Sequence, residues 1–293
     1  MSLKQVISKL TQYYSGISEF ARTELKYAAL NLDNVIHEGL RRGIYPQMWD
    51  ERRNLGFRTY HKNPVVLIPG WGQNRGVYLD TVGRLREHGF ELAYRVNTNP
   101  FTSVEDNIMY LDKKISKIIK QSRCRSKRVD LIGHSFGGLI ARAYSYKHPD
   151  KVGYCIMLGT PNNGTWLALP GYIGTTLVKY SLLRFLGLSL DNTSSYQMIP
   201  GSVFLTKLNK KEPPKSVKFY NIYTKSDEFV LRNRSEILPF AENIPVERFG
   251  VRNRGHLALI HDPKIVDGIC GILKRKNESL ESKVIQFSEF YEN

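Results

Sequence analysis

Cysteine is scarce. Cys124, Cys155 and Cys270 are the only three in 293 residues, and an odd, scattered set builds neither a disulfide framework nor a zinc site of paired ligands. No metal ligand set and no cofactor are therefore expected. Long apolar runs are missing as well: Lys, Arg or Asp interrupts every candidate, so no stretch reads as a membrane span. The opening MSLKQVISKLTQYY lacks the apolar segment and small-residue cleavage site of a secretory leader. The expected location is the cytoplasm or the periphery of a membrane. Acids are in deficit, with 27 Asp and Glu against 43 Lys and Arg, and the resulting net charge of +16 attracts anionic surfaces. Neither stacking aromatics in an RNA-binding pattern nor zinc-finger spacing accompanies that charge, so nucleic acid is not an expected partner and contact with an anionic membrane is the preferred use of it. The densest basic stretch, Lys113, Lys114, Lys117, Lys120, Arg123, Arg125, Lys127 and Arg128, reads first as the solvated face of an amphipathic helix. Nothing in the sequence sets an oligomeric state.

What is present is a globular composition, 41% hydrophobic with 23 glycines, in a chain long enough to build one large core. From Leu3 to about Leu40, Val6, Leu10, Tyr13, Ile17, Ala21, Leu25, Ala28, Leu32 and Val35 recur at helical spacing, which predicts one long helix or two packed on the domain. Residues 1–62 are read as this N-terminal helical extension and 63–293 as the main domain. There, short apolar runs alternate with helical patterns. PVVLIPG (Pro64 to Gly70), FELAYRVNTN, RVDLIGHS, GYCIMLGT, SVKFYNIYT and PVERFGV read as strands; GVYLDTVGRLREHG, GGLIARAYSYKH and PKIVDGICGILK read as helices. Ser103 and Asp106 form a capping box ahead of Ile108, Leu111, Ile115 and Ile118. Strands alternating with helices predict an α/β fold with a doubly wound, mostly parallel sheet. The rhythm breaks over about 163–214, an apolar stretch holding Trp166, Leu167, Leu169, Tyr172 and Phe185, which predicts a helical lid insertion.

Gly133-His134-Ser135-Phe136-Gly137 matches G-x-S-x-G between an apolar strand and a helix, where a sharp turn exposes a serine hydroxyl at the sheet edge and points a helix N-terminus at the reacting atoms. Ser135 is the candidate nucleophile. A serine hydroxyl needs a base to take its proton. Of seven histidines, His256 follows the last predicted strand in RNRGHLALIHDP, with His261 its rival. His134 is inside the elbow, where its side chain is expected to point away from Ser135. The imidazole in turn needs a carboxylate to hold its tautomer. Asp227, directly after SVKFYNIYT, is the candidate, with Glu228 beside it, and the order Ser, acid, His is the one this chemistry uses on such a sheet. Two backbone N–H groups, of Trp71 in the Gly70-Trp71-Gly72 loop and of Phe136, are the candidate oxyanion donors.

At these residues the chain resembles α/β-hydrolase-fold lipases and esterases, bacterial triacylglycerol lipases in particular. PVVLIPGWGQN is similar to their oxyanion segment, with Pro69-Gly70 where they commonly carry His-Gly, and VDLIGHSFGGLIARAY is similar to their nucleophile segment. LGTPNNGT and QMIPGSVFLTKLN resemble the flanks of their lid, and IYTKSDEFV and GVRNRGHLALIHDP their acid and histidine segments. The resemblance implies a serine hydrolase that cleaves carboxylic esters, of acyl lipids in the first place, through an acyl-enzyme. Phospholipase, thioesterase and acyltransferase chemistries use the same triad, and a catalytically silent scaffold that binds lipid is the alternative from another class.

Overall fold

The computed structural model describes residues 19–44, 63–122, 124–168, 193–230 and 237–275. Six strands form one sheet in the order β2-β1-β3-β4-β5-β6, every neighbouring pair parallel. They are β1 (Val65–Ile68), β2 (Ala93–Arg95), β3 (Val129–His134), β4 (Val152–Leu158), β5 (Lys218–Tyr223) and β6 (Glu242–Pro245). The central strands β1, β3 and β4 are buried on both faces, which is why they read as apolar runs. Alternation still sorts them: Val66, Ile68, Leu131, Cys155 and Met157 point into one core, and Val65, Leu67, Ile132, Ile156 and Leu158 into the other.

Helices cover both faces. In chain order they are α1 (Glu19–Ile44), α2 (Leu79–Glu87), α3 (Val104–Ser122), α4 (Phe136–Lys147), α5 (Ser194–Gln197), α6 (Val203–Lys210), α7 (Ala258–His261) and α8 over 263–275. The capping box holds as read: Ser103 Oγ accepts from Asp106 N at 3.0 Å and Asp106 Oδ2 accepts from Ser103 N at 3.2 Å. Below it Ile108, Leu111, Ile115 and Ile118 face the core, while Lys113, Lys117 and Lys120 lie on the solvent side of α3.

Ahead of α2, the 3-10 turn Arg75–Tyr78 buries the Tyr78 ring and sends its hydroxyl to Ile68 O, 3.0 Å away at the end of β1. That bond ties the following helix to the strand tip. Tyr78→Phe is expected to lower unfolding free energy by about 1–2 kcal/mol, read from the urea midpoint, because a buried carbonyl loses its donor.

Two readings change. PVERFGV does not form the last strand: β6 lies earlier, and Val246–Phe249 is a 3-10 turn closed by Gly250 in the left-handed region. The apolar pair Val246 and Phe249 is three apart, the period of a 3-10 turn rather than of a strand. The second change concerns α1, whose sides are reversed relative to the apolar periodicity. Tyr27, Asn31 and Asn34 are buried and Glu24 half-buried, whereas Leu25, Ala28 and Leu32 face solvent.

Several expectations fall outside the described residues. They include Val6 to Ile17, the boundary segment 45–62, and Leu169, Tyr172 and Phe185 of the insertion. Among the described residues no helix is long and apolar enough to cross a membrane.

Candidate active site

The strand order reverses between β1 and β3, the switch point at whose carboxyl edge open α/β sheets place their ligands. Ser135 stands at that point, between β3 and α4. Its backbone lies at φ 52, ψ −121, a region costly for any residue with a Cβ, and it is held by Ser135 N donating to Leu158 O at 2.8 Å and Gly138 N donating to Ser135 O at 2.9 Å. Glycine is required on either side. A Cβ on Gly133 would run into the backbone of Gly137 and Gly138, and one on Gly137 into the carbonyl oxygens of Ile68 and Pro69. The helix therefore starts hard against β1, leaving the serine part-exposed among buried neighbours.

The loop after β5 and the loop after β6 close over the same edge. Asp227 Oδ2 lies 2.8 Å from His256 Nδ1, with both side chains almost fully buried. The other carboxylate oxygen, Oδ1, accepts from Phe229 N at 2.9 Å and Val230 N at 2.8 Å, which fixes the carboxylate plane. The pair passes over Gly159, the residue that follows β4 with φ +54. A Cβ there would sit 3.0 Å from both Asp227 Oδ2 and His256 Nδ1. Burial alone would depress the His256 imidazole, but the charge and hydrogen bond of Asp227, with Glu228 and Glu24 adding to them, hold it above its ordinary 6.5.

The rivals have other places. Glu228 Oε2 accepts from the backbone N of His256 at 3.0 Å, so it binds the main chain and not the ring. His261 stacks on Tyr27 with centroids 5.9 Å apart, and neither ring nitrogen has a hydrogen-bond partner among the described residues; burial, against the charge of Asp80, pulls it down to about 4. Among the described residues no acceptor takes up Trp71 N–H, and Phe136, first in α4, has no carbonyl four residues back within its helix. Gly70 brings the Trp71 loop to the nucleophile: a Cβ on it would be 3.3 Å from Ser135 Cβ. No group of three or more His, Cys, Asp or Glu among the described residues could hold a metal ion.

Gln73 carries no expectation from the sequence, and His134 carries only that of pointing away from Ser135. His134 does not stand apart from the site: its ring lies 4.5 Å from that of His256, with Nε2 3.1 Å from His256 O and Nδ1 3.2 Å from Gln73 Oε1. Gln73 Oε1 also accepts from Gly70 N at 2.8 Å, so one residue bridges the Trp71 loop and the ring beneath the histidine. Burial holds the His134 imidazole well below its ordinary value, with His256 adding to the effect. The only sequence signal for either was proximity to a motif.

Comparison with known proteins bears on the fold. The lipase BlEst2 of Bacillus licheniformis superposes with a TM-score of 0.53 at 18% identity, covering 74% of this chain and 94% of the lipase. The chain has the α/β-hydrolase fold. A family model described as a PGAP1-like alpha/beta domain matches residues 82–182 of this chain. In sequence it is 27% identical over 214 residues to the pimeloyl-[acyl-carrier protein] methyl ester esterase of Wigglesworthia glossinidia brevipalpis, a match covering 69% of this chain and 77% of the esterase. A shorter match, 27% identical over 111 residues, joins it to a 1-acylglycerol-3-phosphate O-acyltransferase of Sus scrofa and spans 31% of that protein. These two relatives are named for acyl-ester chemistry.

Proposed function

We propose that this chain hydrolyses carboxylic esters with substantial acyl chains through an acyl-enzyme on Ser135. The observation that carries the reading is the 2.8 Å pair of Asp227 and His256 closing over the sheet edge beside a strained, part-exposed serine. In the reaction, Ser135 Oγ attacks the ester carbonyl while His256 Nε2 takes its proton, and Asp227 holds the other ring nitrogen protonated. Trp71 N–H and Phe136 N–H receive the negative oxygen of the tetrahedral adduct. Collapse expels the alcohol, which leaves with the proton from His256. Water then repeats the sequence on the acyl-enzyme, releasing the acid and restoring the serine.

The acyl preference rests on the surroundings of His256. The Phe229 ring lies 5.1 Å from the imidazole and is 46% exposed, and Trp166 and Leu167, 54% and 50% exposed, stand on the strand-to-lid loop that Thr165 Oγ1 ties to Phe229 O at 2.7 Å. These apolar surfaces suit a hydrocarbon chain, each buried methylene contributing about 0.8 kcal/mol. The lid reading of 163–214 is supported by its described flanks, where Thr165 N donates to Met198 O at 2.9 Å and closes the base of the insertion. Turnover of p-nitrophenyl esters of rising acyl length is expected to improve from acetate toward medium chains. Loss of turnover across the whole series, together with no labelling by a fluorophosphonate, would end the proposal.

The base must be neutral to work, and His256 titrates above 6.5 in the folded chain. As pH falls through that value the ring is protonated and the rate is lost. The acid limb of kcat/KM is accordingly expected at a midpoint above pH 6.5, and a limb placed below it contradicts the dominance of the carboxylates around the ring.

A further inference from the structure

The N-terminal helix reaches the catalytic histidine. Glu24 Oε1 on α1 accepts from Gly255 N at 2.6 Å, across 231 residues of chain, and the next residue is His256, whose own N–H is held by Glu228 Oε2 at 3.0 Å. Two successive amides are thus bound by two carboxylates, one from the N-terminal helix and one from the loop after β5. Both crowd Gly255, since a Cβ at that position would strike the Glu24 carboxyl group and Glu228 Oε2. Glycine at 255 is what lets them close in. Six residues on, Tyr27 OH donates to Asp262 Oδ2 at 3.2 Å, and Asp262 also accepts from Arg254 Nε at 2.9 Å. The helix therefore grips the histidine loop at both ends.

The interface is polar where simple burial would be apolar. Glu24, Tyr27, Asn31 and Asn34 follow one another at spacings of three and four, so they line one side of α1, and that side is docked while Leu25 at 52% and Leu32 at 50% exposure face water. A helix held by area alone would present its leucines. This one is oriented by named hydrogen bonds to the loop that carries the base.

We propose that α1 is a working part of the active site and that Glu24 is a positioning residue, fixing the Gly255 amide and so the approach of His256. The proposal rests on the hydrolase reading above. The charged and titratable groups that face His256 are Asp227 and Glu228 from the loop after β5, Glu24 from α1 and His134 from the end of β3; Arg254, one residue beyond Gly255, is engaged by Asp262. Glu24 thus contributes a hydrogen-bond acceptor and a negative charge. Burial raises its carboxyl group above the ordinary range, with the Gly255 amide opposing and Glu228 reinforcing. Among the described residues its second oxygen is buried with no hydrogen-bond partner.

Acceptor and charge can be separated. In the full chain, Glu24→Ala removes both, Glu24→Gln keeps an acceptor for Gly255 N–H, and Leu25→Ser on the exposed side is the control. Glu24→Ala is expected to lower kcat about 10-fold with KM within about twofold, because the base is misplaced while the substrate surfaces are untouched. Glu24→Gln recovers most of kcat at pH 8 and moves the acid limb about half a unit toward lower pH, as a lost negative charge favours the neutral ring. The His256 imidazole followed by NMR titration moves the same way, and Leu25→Ser matches the wild type. Wild-type kcat and an unshifted imidazole in both Glu24 variants overturn the proposal. So does a fall in kcat that merely follows a lower melting midpoint with no change of pH profile. If the wild type shows no ester turnover and no label on Ser135, the hydrolase reading fails, while the NMR shift still judges the contact by itself.

Discussion

Ser135→Ala is expected to reduce ester turnover on the order of 10⁴-fold or more and to abolish fluorophosphonate labelling, while the protein unfolds at nearly its wild-type temperature. The separation of the two effects follows from the surroundings of the residue. The strain at φ 52 belongs to the backbone and is carried equally by alanine, and the bonds that hold the turn, Ser135 N to Leu158 O and Gly138 N to Ser135 O, are main-chain. Only the hydroxyl disappears. Activity left over measures what Trp71 N–H, Phe136 N–H and substrate positioning achieve with water as nucleophile. A companion, Ser135→Gly, relieves the positive φ and is expected to be as inactive but more stable by about 1 kcal/mol. Turnover within tenfold of wild type in the alanine variant would remove Ser135 from the mechanism.

The elbow was legible because its requirements are local. A strand, a helix, and two glycines whose missing Cβ atoms make room for the Gly137 carbonyl and the Ile68 and Pro69 carbonyls all lie within a few residues of Ser135 or against the neighbouring strand. The approach of Asp227 to His256 is expected from chain order, which reports strand sequence around the sheet rather than contact. The pairing of Glu228 with a main-chain amide could not be read this way, because Asp227 and Glu228 differ only in which direction a short loop points them. Nor could the ends of α1. Its apolar periodicity predicts burial of Leu25 and Leu32, and the helix instead spends its polar side on Gly255 and Asp262. Periodicity finds a helix from backbone geometry, but which side docks is decided by partners more than two hundred residues away. The last strand failed for a smaller reason, that the spacing of Val246 and Phe249 by three suits a 3-10 turn and not a strand.

Asp227→Asn changes one atom and is expected to lower kcat about 10⁴-fold at neutral pH. The argument is one of hydrogen-bond direction. Oδ1 of Asp227 accepts from two backbone amides, Phe229 N and Val230 N, and both can only donate. An asparagine must keep its carbonyl oxygen toward that pair, so its NH₂ takes the place of Oδ2 and faces His256 Nδ1. A donor there makes Nδ1 the acceptor and moves the ring proton to Nε2, the nitrogen that must be bare to take the proton of Ser135. Loss of the carboxylate charge also removes the main influence holding the imidazole above its ordinary value. Folding is little affected, since size and the two amide bonds are kept; Asp227→Ala, which strands both amides, costs about 1–3 kcal/mol of stability besides its activity. Nitrogen chemical shifts of the His256 ring distinguish the two tautomers. An asparagine variant that keeps the proton on Nδ1 and retains a tenth of wild-type kcat would show that the carboxylate does not set the state of the base.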